Sequence, residues 1–340
     1  ILIGLVGSEM CIRDRYISCY KIFTIFANSM TVVHNELSHH STSHNLTQLP
    51  LDLYGKVCIN TYICQSLKKK RMISFPNAKI NLGLNVVSKR PDGYHNIETI
   101  FYPIPVKDAL EIVRADTFSF TQTGIPVDAP IEKNLVVKAL NLLKSQYEIP
   151  ELEVHLLKAI PFGAGLGGGS ADAAFMLKLL NDYCGLHILE DSLEELASSI
   201  GADCPFFIRN TPVFASGTGN IFETVELSLA DYHLCLVKPD VAVSTPEAYS
   251  MVTPAAPAIS LKEIIRRPVG EWKELMVNDF EKSVFLKHPV IAGIKETLYE
   301  KGAVYASMSG SGSSVFGLFK EATDLKGLFA DCFVWEGQLP

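Results

Sequence analysis

From position 78 the chain reads AKINLGLNV, with Ile80, Leu82, Leu84 and Val86 at alternate positions. A period of two puts them on one face of a pleated strand and predicts that the strand is half-buried. The same rule predicts short strands at IETIFYPI, at DALEIV and at EVHLL. In KNLVVKALNLLKSQY the period changes, and Leu135, Ala139, Leu142 and Leu143 recur at helical spacing. SADAAFMLKLLNDYCG repeats it through Ala171, Ala174, Phe175 and Leu179, with Gly185 as the stop. DSLEELASSI is a further predicted helix, with Asp191 or Ser192 as its cap. Later, HLCLV, AVYASM and SVFGLF read as strands, and PVIAGIKETLYE and DLKGLFADC as helices. This mixture predicts an α+β fold in two layers, dividing near positions 226–232 into residues 72–228 and 229–340.

The first 71 positions do not share this patterning. Charges at Glu9, Arg13, Asp14, Arg15 and Lys21 interrupt the apolar stretches, so no membrane span is predicted. No basic leader runs into an apolar core and a cleavage site, so a secretory signal is unsupported. The tract HNELSHHSTSHN reads as polar and disordered, and residues 1–71 as an extension without a catalytic role. Met72, directly after KKKR, is the expected start of the folded protein.

Composition narrows the partners. The 340 residues are 48% hydrophobic and 20% charged, as in a globular protein. A net charge of -7 argues against nucleic acid or an anionic membrane as the main partner. Eight cysteines without a CxxC pair or a Cys/His ligand spacing speak for a reducing compartment and against structural zinc. The expectation is a cytoplasmic protein, monomeric or a weak homodimer, that acts on a small molecule.

The densest chemical signal is KAIPFGAGLGGGSADAA, from position 158. Gly163, Gly165 and Gly168 fit a GxGxxG dinucleotide turn. The place for a strand-end acid about twenty residues on holds LHILEDSLEEL, which reads as a loop and helix start. A Walker A loop needs a Lys after its glycines, and none is present. A flexible linker is disfavoured, because a strand enters the run and a helix leaves it at once. What remains is a glycine loop feeding a helix N-terminus, where free N–H groups and the helix dipole suit a phosphate. Ser170 stands at the helix start, where it can cap, touch a phosphate or help hold a magnesium ion.

Taken with three other segments, this loop carries a family likeness. PFGAGLGGGSADAA resembles the signature loop of the GHMP small-molecule kinases. PNAKINLGLNV, RPDGYHNIETIF and IGADCPFFI resemble further motifs of one branch of that family, and SMSGSGSSVFGLF resembles its late glycine-rich motif. The likeness runs from about Met72 to the C-terminus with the motifs in order. It implies a two-domain α+β kinase with the active site in the cleft between the domains. The implied reaction moves the γ-phosphoryl of ATP to the 2-hydroxyl of a methylerythritol acceptor bearing a cytidine diphosphate. That is a step in the non-mevalonate route to isoprenoids.

The resemblance also implies roles. Asp203 matches the catalytic aspartate and Lys79 the catalytic lysine, with Asn81 on the same strand face as Lys79. Without the likeness, Asp203 reads as a cap or turn residue before Pro205, and Lys79 as an outward lysine on an edge strand. Pro161, Phe162, Gly163, Ala164, Gly165, Leu166, Gly167, Gly168, Gly169, Ser170 and Ala171 would form the ATP loop. Asn134 and Lys158 would meet the adenine part, although a helix cap and a strand-end lysine explain them as well. Tyr94 and His95 would stack on and hydrogen-bond the cytosine, and Thr245 would lie near the acceptor. No acid stands out as a ligand for Mg2+, so no metal ligand is named. Two alternatives remain open: a GHMP kinase acting on mevalonate, homoserine or a sugar, and an inactive nucleotide-binding regulator.

Overall fold

The computed structural model describes residues 70–126 and 130–340. The expectations for residues 1–69, including the histidine-rich tract, lie outside the described residues. The first strand among the described residues, Arg71–Ser74 (β1), begins one position before the expected start and pairs antiparallel with Ala109–Arg114 (β4). Residues Arg71–Pro340 form one compact unit.

Among the described residues, twelve strands make three four-stranded sheets. The first has the order β1-β4-β6-β5, where Leu152–Lys158 (β6) pairs in parallel with Ser119–Gly124 (β5). The second has the order β2-β3-β7-β8, built on Asn77–Lys89 (β2), His95–Lys107 (β3), Val213–Ser216 (β7) and Ile221–Thr224 (β8). The third, β10-β11-β9-β12, joins Tyr305–Met308 (β10), Val315–Phe319 (β11), His233–Pro239 (β9) and Cys332–Gln338 (β12).

Three apolar cores follow from these layers. One packs Ile112, Val154 and Leu156 of the first sheet under Leu140 and Leu177 of the two helices Leu135–Lys144 and Gly168–Cys184. Another joins Ile80, Leu82 and Ile100 of the second sheet to Leu236 and Phe316 of the third. The last seats Ile291, Ile294 and Leu298 of helix Pro289–Glu300 on Val237 and Val315. The middle core therefore runs across positions 228 and 229.

Several sequence expectations need correction. The strand from Ala78 is buried on both faces as far as Val86, because its polar face, with Lys79, Asn81 and Asn85, is covered as well. Helix Glu190–Ser198 starts after Leu189 with no side-chain cap, so neither Asp191 nor Ser192 caps it. DLKGLFADC forms only the 3-10 turn Lys326–Leu328. The Glu336 carboxylate takes the Leu325 N–H at 3.1 Å and the Thr323 hydroxyl at 2.6 Å, which holds that backbone out of a helix. Strands β5 and β12 were not expected from pattern: SFTQTG is polar and CFVWEGQ alternates weakly.

Candidate active site

The site grows from the polar face of β2. Lys79 is 4% exposed, and its ammonium donates to Asn81 Oδ1 at 2.6 Å and to the Gly165 carbonyl at 3.1 Å. It also lies 4.7 Å from the centre of the Phe101 ring. The fourth neighbour is Asp203, whose Oδ2 is 3.7 Å away. Burial holds the Lys79 pKa below the ordinary lysine value, and the Asp203 charge and hydrogen bonding work against that fall. Asp203 sits on the turn before Pro205 and helix Phe206–Arg209, and its side chain is about a third open to solvent.

Two glycines of the loop are required by shape. Gly165 has φ +73, and a Cβ there would lie 2.0 Å from the Ser309 carbonyl oxygen. Gly167 has φ +69, and a Cβ there would meet Phe207 at 2.9 Å and Lys79 Cε at 3.3 Å. The backbone thus packs directly on the lysine and on the late glycine-rich segment. Helix Gly168–Cys184 follows with Gly167 as its N-cap, with no side-chain cap bond and no acid in its first turn. Its first N–H groups face the loop as donors for an anion.

Behind the loop lies a buried ionic triad, with Lys158 at the end of β6, Asp108 just before β4 and Asp172 on helix Gly168–Cys184. The Lys158 ammonium pairs with Asp172 Oδ2 at 2.8 Å and with Asp108 Oδ2, both carboxylates nearly inaccessible to solvent. Asp108 Oδ1 also accepts the N–H groups of Ala159 and Ile160 at 2.6 and 2.8 Å. Burial works against the charge on Lys158, but Asp172 and Asp108 together raise its pKa. Burial also pushes Asp172 up to about 8, against the pull of Lys158 and aided by the charge of Asp108. Beside the triad opens a cavity of about 600 Å³, lined among others by Phe120, Gln122, Asn134, Phe162, Lys158 and Asp172. Asn134 caps helix Leu135–Lys144 through Oδ1, which accepts the Val136 N–H at 2.9 Å, and its amide donates to Gln122 at 3.2 Å.

The other candidate residues cluster around the turn between β2 and β3. Arg90 N–H donates to the Tyr94 carbonyl at 2.8 Å, and Asp92 accepts the Tyr94 N–H at 3.1 Å and pairs with Arg90. This leaves the Tyr94 ring 67% exposed. His95 instead stacks on Tyr249, with centroids 4.7 Å apart and planes at 22°, and Tyr249 rests edge-on against Phe280 at 4.6 Å. Tyr249 ends the short helix that Thr245 begins.

Comparison with known proteins fits this arrangement. The profile "GHMP kinases N terminal domain" matches residues 134–211, and "GHMP kinases C terminal" matches residues 260–330. A 4-diphosphocytidyl-2-C-methyl-D-erythritol kinase of Parabacteroides distasonis is 80% identical over 270 residues, covering 79% of this chain and 100% of that protein. The chain belongs to this GHMP kinase family. The Bacteroides fragilis kinase of the same name is 62% identical over 252 residues, covering 73% of this chain and 92% of its own. A crystal structure of 4-(cytidine 5'-diphospho)-2C-methyl-D-erythritol kinase superposes with a TM-score of 0.68 at 30% identity, covering 79% of this chain and 99% of that one.

In this kinase, then, Lys79, Asn81, Asp203 and the loop from Pro161 to Ala171 converge on one point. Tyr94, His95 and the helix of Thr245 gather at another. Lys158 and Asn134 line the cavity, but the Lys158 ammonium is engaged by two carboxylates. Four residues are not singled out by the sequence. Asp108 and Asp172 were visible only as lone acids in apolar surroundings. Ser309 was visible only inside a serine-glycine run, and its hydroxyl donates to the Gly165 carbonyl at 2.9 Å and accepts the Asn81 N–H at 3.1 Å. Tyr249 looked like an ordinary residue of TPEAY. Among the described residues no group of three His, Cys, Asp or Glu is placed to hold a metal ion.

Proposed function

We propose that the chain transfers the γ-phosphoryl group of ATP to the 2-hydroxyl of 4-(cytidine 5'-diphospho)-2-C-methyl-D-erythritol. The observation that carries this reading is the shared cation. Lys79 touches both Asp203, the one carboxylate beside it, and the carbonyl of Gly165 in the phosphate loop. An acceptor hydroxyl placed at Asp203 is thereby also placed next to a loop that offers N–H donors to phosphate.

The chemistry follows from that placement. The hydroxyl oxygen bonds to the γ-phosphorus as the bond to the bridging oxygen of ADP breaks, and its proton passes to Asp203. A carboxylate is too weak to ionise an alcohol in advance, so the proton moves late, as charge leaves the attacking oxygen. Lys79, anchored by Asn81 and Gly165, balances charge on the reacting oxygens. A magnesium ion bound with the nucleotide would neutralise part of the phosphate charge. The cavity beside Asn134, Gln122 and Phe162 suits the adenine base, and the ionic triad fixes its floor. The open Tyr94 ring and the His95–Tyr249 stack offer aromatic faces to the cytosine, with Thr245 nearby.

The reading puts the protein in the cytoplasm, in the non-mevalonate route to isoprenoids, with residues 72–228 and 229–340 as its two domains. The test is ADP release with magnesium-ATP and four acceptors offered separately: the cytidylyl compound, mevalonate, homoserine and galactose. Turnover with the cytidylyl compound alone is expected. Turnover with another acceptor would discard the substrate, and silence with all four alongside ATP binding would favour a regulator.

A further inference from the structure

Between Leu275 and Glu281 the chain crosses beside β2 and under the late glycine-rich segment. Its backbone bridges Leu84 on both sides: the Leu84 N–H donates to Val277 O at 2.9 Å, and the Asp279 N–H donates to Leu84 O at 2.9 Å. Asn278, 3% exposed, is thereby held at a fixed height against the strand that carries Lys79 and Asn81. Its carboxamide can be oriented in only one sense. Oδ1 accepts the Phe280 N–H at 3.0 Å, while Nδ2 donates to two carbonyls, Met308 O at 2.8 Å and Gly310 O at 2.9 Å.

Those two carbonyls flank Ser309, the residue whose hydroxyl ties Asn81 to Gly165. Both N–H groups of one amide thus fix the backbone on either side of one serine. The Ser309 carbonyl is the atom against which Gly165 is packed with no room for a Cβ, and Gly165 O is in turn a ligand of the Lys79 ammonium. A shift of the Met308–Gly310 backbone by a few tenths of an ångström must move Ser309, and with it the seat of Lys79 and the phosphate loop.

We propose that Asn278 is a positioning residue for phosphoryl transfer, setting Ser309 and through it the phosphate loop and Lys79. Buried as it is, it acts through the loop and not by contact with a ligand. The proposal rests on the kinase reading above, since the loop it sets is the one assigned there to phosphate. A plain Asx turn would use only Oδ1; the two N–H bonds of the same amide serve the loop alone.

This division gives the test. Asn278→Asp keeps size and the turn acceptor but removes the paired donors, whereas Asn278→Ala removes both. Both variants are expected to lose kcat by about tenfold or more and to weaken ATP binding by about fivefold. The acceptor KM should stay within about twofold. Wild-type kcat and ATP affinity in Asn278→Asp, with loss only in Asn278→Ala, would reduce Asn278 to a turn residue and overturn the proposal. If neither variant folds, Ser309→Ala must reproduce the kcat loss, and normal turnover there overturns it equally. The ATP affinity, read by calorimetry without acceptor, decides the matter even if the parent protein fails to phosphorylate the cytidylyl compound. That failure would count against the substrate alone.

Discussion

The proposed donor and acceptor sides of this site are built in opposite ways. On the donor side Lys79, Lys158, Asp108 and Asp172 are all buried and bonded within the protein, and Gly165, Gly167 and Gly168 are packed to contact. On the acceptor side the Tyr94 ring is open to solvent, and its turn is held by an exposed Arg90–Asp92 pair. An exposed ion pair contributes little, whereas a broken buried one is costly. Phosphate transfer needs its charges fixed beforehand, since water would otherwise reorganise around them. A base-recognising turn has no such need. It can be completed by the flat ring that stacks on it.

The difference can be broken from either end. The largest effect is expected at the junction: Asp203→Asn should lower kcat by about two to four orders of magnitude, with ATP binding kept, because the proton loses its acceptor. Steady-state rates beside a nucleotide titration check this, and near-normal turnover would remove Asp203 from the chemistry. Next comes Lys158→Met, which leaves the buried Asp108 and Asp172 without their cation. It should cost about 3–5 kcal/mol of stability in denaturant unfolding. A loss below about 1 kcal/mol would mean that the triad is no stronger than a surface pair.

On the acceptor side, Tyr94→Ala should weaken acceptor binding by about 1–3 kcal/mol, the worth of a base stack, while the melting temperature stays put. Unchanged acceptor affinity would exclude the stack. A further effect is in pH. An unfolded aspartate ionises near 3.8, whereas Asp172 holds its proton up to about 8. Between those values the folded chain binds more protons than the unfolded one. Stability from this group is therefore full below the lower value and falls as pH rises through the window. Asp172→Asn should flatten that fall between pH 5 and 8, and an identical slope in both proteins would contradict the assignment.

How legible this was depends on where the information lies. The strand of Lys79, the loop and its helix could be read because period and glycine content are local. The same holds for the PDGYH turn, where Pro91 and Gly93 dictate the bend. The triad could not be read, because Asp108, Lys158 and Asp172 meet only through the pairing of β4 with β6 and the packing of a helix on both. Tyr249 was hidden likewise: TPEAY says nothing of a histidine 154 positions earlier in the chain until the ring stack is seen. The turn at Lys326 failed for a local reason, a helical pattern overridden by the Glu336 carboxylate.

The proposed reaction requires two separate seats for its two ligands. Hydrogen exchange of the ligand-free protein, repeated with CDP and then with ADP, tests that division directly. CDP should slow the amides of residues 90–96 and leave residues 152–176 unchanged, and ADP should do the reverse. Protection by CDP around the glycine loop, with the turn at Tyr94 unaffected, would place the cytosine on the donor side and contradict the account.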